Sequence, residues 1–457
     1  MTPLPSPALR SPRDLARTTA TNPYLADVEL AQHCADHLEQ ARHVLVGLLT
    51  QHETYETATA EVTSSIDTLR NLHRELAHLR QGAVADVAVF LPINLPLYSL
   101  VLFAAIPSLM AERVDVRLPA ATPTWVRAVA EAAHLEAFFP RVHLNELSRR
   151  RFIQEHASGA EAVIFTGRYE SAEEVRAQCP SSRFIFQGSG VNPIVIGPDA
   201  RLTRTAIDDM VTARVFNGGQ DCAAPDAFLV HTQRADEFVR AIVDAADQLV
   251  SGHYGDPAVR VGTILNPNTL GALEQRLAAL APDTVLGGLV DREANYVTPT
   301  VIVRPLAEHD ELMEFFAPVF YILVYDDDDE LAEFFDHPEY RDNAMYVSLY
   351  GQRVVASLFE SSTVLFDQTV LDVEQGNVAF GGNGAKANFV AYGGAVEVGP
   401  SLMSEALACH LRAPSAPVAE TAPVTDVQMP SEDWWVHSDV LANDELPRRE
   451  RLPRVVR

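Results

Sequence analysis

The segment Phe216-Asn217-Gly218-Gly219-Gln220-Asp221-Cys222-Ala223-Ala224-Pro225-Asp226 places a cysteine just after a helical pattern and a Gly-Gly turn. A thiolate is a strong nucleophile. Small residues beside it let a ligand approach the backbone, whose N–H can hold an oxyanion. A cysteine in such a setting is more often a core residue, so the segment alone leaves both roles open. Cys34, Cys179 and Cys409 lie far apart with no C-x-x-C pair, which speaks against a disulfide framework or a zinc centre, and no metal site is expected. Other chemical patterns fail. There is no G-x-x-x-x-G-K-[ST], and Gly188-Ser189-Gly190 lacks the third glycine of a dinucleotide fingerprint. His73 and His78 have the wrong spacing for a zincin helix, and that stretch reads as a solvated helix face.

The elements that must position Cys222 alternate in type. Residues 1–23 read as an irregular arm and 24–80 as helical. Val84–Leu91 then reads as a strand, followed by Pro92-Ile93-Asn94-Leu95-Pro96, a long helical pattern and a strand at Val114–Arg117. Helix Thr124–Leu135, strand Ala162–Phe165, helix Ser171–Ala177 and strand Arg183–Phe186 continue the pattern, predicting an open parallel sheet with its ligand site at the carboxyl ends of the strands. A second α/β block opens at Asn192-Pro193-Ile194-Val195-Ile196. It carries helix Ala206–Phe216, strand Ala227–His231, helix Ala235–Leu249 and strands at Thr298–Val303 and Val319–Tyr325. The acidic run Asp326–Glu330 is expected to open a helix, and Ala413–Pro430 reads as a Pro-rich linker or extension. At 457 residues the chain has room for several large cores, and its net charge of −27 makes nucleic acid and anionic membrane surfaces poor partners. No apolar window is long enough to span a bilayer, and the first residues lack the apolar core of a signal peptide, so a cytoplasmic setting is expected.

Further segments fall into order with Cys222: Pro92-Ile93-Asn94-Leu95-Pro96, Phe165-Thr166-Gly167, Gln187-Gly188-Ser189-Gly190-Val191-Asn192-Pro193, Glu314-Phe315-Phe316-Ala317-Pro318 and Phe380-Gly381-Gly382-Asn383-Gly384. Together they resemble the aldehyde dehydrogenase superfamily, whose nucleophile motif reads F-x-N-x-G-Q-x-C, and the C-x-x-P-D continuation is most similar to its class 3 branch. The resemblance implies an α/β fold with a Rossmann-like parallel-sheet cofactor domain and a second α/β catalytic domain. On that pattern residues 1–188 form the cofactor-binding domain and 189–365 the catalytic domain. Residues 366–412 return to the cofactor domain and serve oligomerisation, and 413–457 are the extension. The resemblance further implies that Cys222 is the nucleophile and that Asn94 helps hold the oxyanion. Arg117, Gly167, Arg168, Glu314 and Phe316 would bind the cofactor, and Phe380 and Gly381 would wall the substrate funnel.

Two departures shape the expected reaction. Where the family has its hydrolytic glutamate, this chain has Gln187, and an amide cannot take a proton from water. Where a glutamate binds the adenosine ribose, it has Ala120, and with Arg117 and Arg168 nearby the cofactor NAD(P) leans toward NADP. The expected activity is interconversion of an aldehyde and an acyl thioester, with coenzyme A or a carrier protein as thiol partner, in a homodimer or homotetramer. The alternatives are a hydrolytic aldehyde dehydrogenase and a cofactor-free cysteine acyltransferase or thioesterase.

Overall fold

The computed structural model describes residues 23–79, 84–309, 314–352 and 359–408. The expectations for the first 22 residues and for 413–457 lie outside these. The chain enters through two helices, α1 (Pro23–Leu49) and α2 (Tyr55–Arg70), broken at Thr54, whose hydroxyl caps α2 by accepting from Thr57 N. Just beyond, His73 and Arg74 face solvent as expected, whereas Glu75 is buried.

Five parallel strands follow: β1 (Val84–Phe90), β2 (Ala111–Arg117), β3 (Val142–Asn145), β4 (Ala162–Gly167) and β5 (Arg183–Gly188). Helices α3 (Pro96–Leu100), α4 (Pro123–Ala132) and α5 (Tyr169–Arg176) lie between them. The apolar runs of β1, β4 and β5 suit strands covered on both faces. The second sheet begins at β6 (Ile194–Ile196) and continues with β7 (Phe228–His231), β8 (Thr284–Leu286), β11 (Thr300–Pro305), β12 (Val319–Tyr325), β13 (Tyr346–Tyr350) and β14 (Thr363–Phe366). Its order is β14-β13-β6-β7-β12-β11-β8, parallel except for β8, while β9 (Val290–Asp291) and β10 (Tyr296–Val297) form a separate ribbon. Among its helices are α6 (Arg204–Val215), α7 (Thr232–Asp247), α8 (Leu270–Ala279) and α9 (Asp328–Asp336). Asp327 caps α9 by accepting from Asp329 N and Glu330 N, the helix-opening role expected of the acidic run.

After α10 (Val370–Val373) the chain returns to the first sheet. There β15 (Asn388–Tyr392) pairs antiparallel with β5, opposing Asn388 to Gln187, and β16 (Ala395–Val398) forms the outer edge before α11 (Met403–Ala408). The first sheet thus runs β16-β15-β5-β4-β1-β2-β3. Arg117, Gly167 and Gln187 all lie at the carboxyl ends of its strands, where open α/β sheets bind ligands. Among the described residues no helix is long and apolar enough to cross a membrane.

Candidate active site

The nucleophile segment is built on a left-handed turn that requires glycine at Gly219. After α6 ends at Val215, Asn217 (φ 52°), Gly218 (φ 65°) and Gly219 (φ 82°) all turn left-handed. A Cβ on Gly219 would lie 2.5 Å from the Ala317 backbone, so the Gly-Gly turn is what lets the Glu314–Pro318 loop lie against the nucleophile loop. Arg214, fully buried on α6, ties these pieces together. It donates to Pro225 O (2.8 Å), Gly219 O (2.9 Å) and Ala317 O (2.6 Å), bracketing Cys222 on both sides. Asn192 adds a second tie: its Nδ2 donates to Cys222 O at 3.0 Å, its backbone N–H to Asp226 Oδ2 at 2.9 Å, and its Oδ1 accepts from Tyr346 N at 3.3 Å. Arg214 and Asn192 carried no role in the sequence reading. An arginine between the apolar Ala213 and Val215, eight positions before the cysteine, is the signal that the sequence carries for Arg214.

Asn94 reaches the same place from the first lobe. It is buried, and its Nδ2 donates to Gln220 O at 3.3 Å, two residues before Cys222. An amide nitrogen has two hydrogens, so one remains for an oxygen beside the thiol. Leu95 (φ 50°) and Phe316 (φ 49°) also adopt the left-handed region uncommon for such side chains. Together with Asn217 they place backbone strain in all three loops that meet here, a feature that clusters at functional sites.

The electrostatics favour a protonated thiol. Half-buried Cys222 is raised well above the usual thiol range, first by burial and then by the carboxylates of Asp221, Glu374 and Glu314. Glu314 keeps solvent-accessible surface, yet protein surrounds its carboxyl and pushes it up to about 7, against the pull of Ser189, Arg214 and Arg168. Asp226 is pushed up to about 8 by burial and by Glu314. The nucleophile thus sits among carboxylates of raised pKa, held together by one buried guanidinium.

The remaining candidates form two further groups. Gln187 is buried at the end of β5, and its Nε2 donates to Ser401 O (3.1 Å) and Ser401 Oγ (3.3 Å). Ser401 in turn exchanges backbone hydrogen bonds of 3.2 Å with Phe380. The Phe380 ring packs edge-on against Tyr346 at 5.7 Å, and Gly381 (φ 110°) donates its N–H to Tyr346 Oη at 3.0 Å. At the mouth of the first sheet, half-buried Arg117 has an Nε with no partner among the described residues, and burial and the nearby charge of Arg149 lower its pKa. Arg149 is itself paired with Glu174 at 2.9 Å, so the unsatisfied Arg117 N–H is the group that fits an anionic ligand. Gly167 (φ 139°) and exposed Arg168 follow at the end of β4, and Ala120 presents no carboxylate.

Fold and site together define an α/β protein of two mainly parallel sheets built around a loop-borne cysteine. Residues 23–388 match the aldehyde dehydrogenase family, and the chain belongs to that family of oxidoreductases, which act on aldehydes with NAD(P). A succinate-semialdehyde dehydrogenase [NADP(+)] of Mycobacterium avium is 28% identical over 271 residues, 56% of each chain. A 4,4'-diaponeurosporen-aldehyde dehydrogenase of Staphylococcus aureus is 23% identical over 343 residues, 71% of each. The match to the Mycobacterium relative spans only a little over half of that protein's length. Among solved structures, the glyceraldehyde-3-phosphate dehydrogenase of Methanocaldococcus jannaschii complexed with NADP superposes with a TM-score of 0.70 at 17% identity. That superposition covers 88% of this chain and 93% of that one, a likeness of fold.

Proposed function

We propose that the protein is an NAD(P)-dependent oxidoreductase that interconverts an aldehyde and an acyl thioester through Cys222, with coenzyme A or a carrier-protein thiol as acyl partner. The observation that carries this reading is the amide at position 187, which cannot take a proton from water and whose Nε2 is held on Ser401 O and Oγ. Residues 1–188 serve the cofactor, 189–365 the chemistry, and 366–412 the return to the cofactor sheet and assembly. Arg117, Gly167, Arg168, Glu314 and Phe316 would hold NAD(P), which supplies the hydride acceptor. The unsatisfied Arg117 Nε and Ala120 favour the extra phosphate of NADP.

The chain's own groups do the following. Cys222 loses its proton to solvent water and its sulfur attacks the aldehyde carbonyl. The oxygen that becomes anionic takes the free N–H of Asn94 Nδ2 and the Cys222 backbone N–H. Once hydride has left, the acyl group remains on Cys222 as a thioester, which an incoming thiolate cleaves with release of the Cys222 sulfur. Phe380 and Tyr346 wall the approach. The exposed edge strand β16, with Val396 and Val398 on one face, supports a homodimer or homotetramer. A nucleophilic thiol that must stay reduced suits the cytoplasm.

One observation favours a second reading. Glu314 acts electrostatically on the Cys222 thiol and its carboxyl is pushed up by burial to about 7, as suits a general base for water. A steady-state assay with a panel of aldehydes and NADP separates the two. Thiol resolution predicts that coenzyme A or pantetheine raises turnover roughly 10²-fold or more, the scale of a missing general base. Full turnover to free acid without added thiol, abolished by Glu314→Gln, establishes hydrolysis instead.

A further inference from the structure

Two carboxyl groups that the proposed chemistry does not use lie buried behind both site loops. Glu53, in the turn before α2, and Glu61, on α2, are 0% and 2% exposed. Glu53 Oε1 accepts from Leu95 N at 3.0 Å and Glu61 Oε1 from Tyr98 N at 2.9 Å, so the pair grips the backbone on either side of Pro96. Leu95, the left-handed residue next to Asn94, is thus held by its N–H. Between the two acids on the chain, Thr57 Oγ1 accepts from Asn217 N at 2.8 Å, gripping the left-handed residue of the nucleophile loop. The two loops then meet at one oxygen: Gln220 O accepts from Asn94 Nδ2 (3.3 Å) and from Asn217 Nδ2 (3.2 Å).

Glu53 and Glu61 hydrogen-bond to each other, and no other donor reaches the Oε2 of either among the described residues. Two bare carboxylates cannot face each other in a dry site; one proton between them satisfies both oxygens. Burial raises both acids, so the pair holds one proton between its two carboxyl groups.

We infer that Glu53 and Glu61, joined by one shared proton, are positioning residues that hold Asn94 in register with Cys222, so that the amide meets the oxyanion as it forms. This rests on the reading of Asn94 as oxyanion donor and Cys222 as nucleophile. The chain's first helices, which look like a structural preface to the sheets, then take part in setting the oxyanion site.

The test uses two probes on the full-length protein. Acylation of Cys222 by p-nitrophenyl acetate, read as the nitrophenolate burst, builds an oxyanion. Alkylation by iodoacetamide, read by mass spectrometry, needs the thiol but builds none. Glu53→Ala is expected to slow acylation about 10- to 100-fold, part of what loss of an oxyanion donor costs, with alkylation unchanged. Glu53→Gln, equal in length and able to donate to Glu61 and accept from Leu95, recovers most of the rate. Glu53→Asp, which keeps the carboxyl group but is too short, does not. In an Asn94→Ala background, Glu53→Ala costs nothing further, because its effect runs through Asn94. Independent, multiplying effects of Glu53 and Asn94 overturn the inference, as does an active Asp variant beside an inactive Gln one. If Ala at 53 prevents folding, the order of Gln and Asp still decides. Full acylation by Asn94→Ala alone, or a burst that survives Cys222→Ala, instead overturns the site assignment on which the inference rests.

Discussion

At the scale of the residue, the thiol of Cys222 is held back by its surroundings. Burial and three carboxylates, Asp221, Glu374 and Glu314, favour the protonated form. Because the folded pKa lies above that of a free thiol, the thiolate fraction at neutral pH is smaller than the few per cent of an ordinary cysteine. Alkylation of the free protein by iodoacetamide is therefore expected to be slower than that of a small-molecule thiol at pH 7. It should still be climbing above pH 9, where a free thiol levels off, and a plateau below pH 8 would contradict this electrostatic account. Gln187 is explained at the same scale. Its Nε2 donates to the Ser401 carbonyl, a contact in which a glutamate carboxylate would oppose oxygen to oxygen.

At the scale of the element, the site depends on how α6, the Gly218-Gly219 turn and the Glu314–Pro318 loop are held together. Arg214 is the tie, with its cation fully buried among Asp226, Glu314 and Asp221. Removing one partner of such a buried charge cluster leaves the others uncompensated. Arg214→Leu is thus expected to cost about 3–5 kcal/mol of stability in urea denaturation. A loss below about 1 kcal/mol, the range of surface pairs, would mean that the carbonyl contacts contribute little. The same elements show what the sequence makes legible. Strands β1, β4, β5 and β12 announce themselves as apolar runs, and Cys222, Asn94 and Glu314 stand out because glycine and proline fix the turns around them. Strand β3 (Val142–Asn145) is short, polar at His143 and Asn145 and on a sheet edge, so it carries no apolar run to read. Arg214, Glu53 and Glu61 read as ordinary helix or turn polarity. Glu53, Glu61 and the neighbouring Thr57 acquire their backbone donors only when distant loops arrive, as when Asn217 docks on Thr57 from 160 residues away. Glu61 did leave a trace, since it lies on the α2 stripe of Ala58, Val62, Ile66 and Leu69, where a lone carboxylate has no solvent.

At the scale of the whole molecule, the chain builds two sheets and its returning segment closes the first one. Edge strand β16 is exposed along its full length and carries Val396 and Val398 on one face with Glu397 between them on the other, leaving a ladder edge open to another chain. Light scattering at micromolar concentration should give a dimer or tetramer, and Val396→Lys with Val398→Lys should shift it toward monomer. A native monomer would show that this edge is covered in some other way. The central claim concerns the whole reaction: an acyl group rests on Cys222 and leaves to a thiol. The most direct measurement is mass spectrometry of the protein after mixing with an aldehyde that it oxidises and NADP, first without and then with coenzyme A. The account predicts an acyl adduct on the Cys222 peptide that persists for minutes in water and clears within seconds of adding coenzyme A, with acyl-coenzyme A released. An adduct on another residue, or free acid formed at full rate with no adduct and no response to coenzyme A, would contradict it.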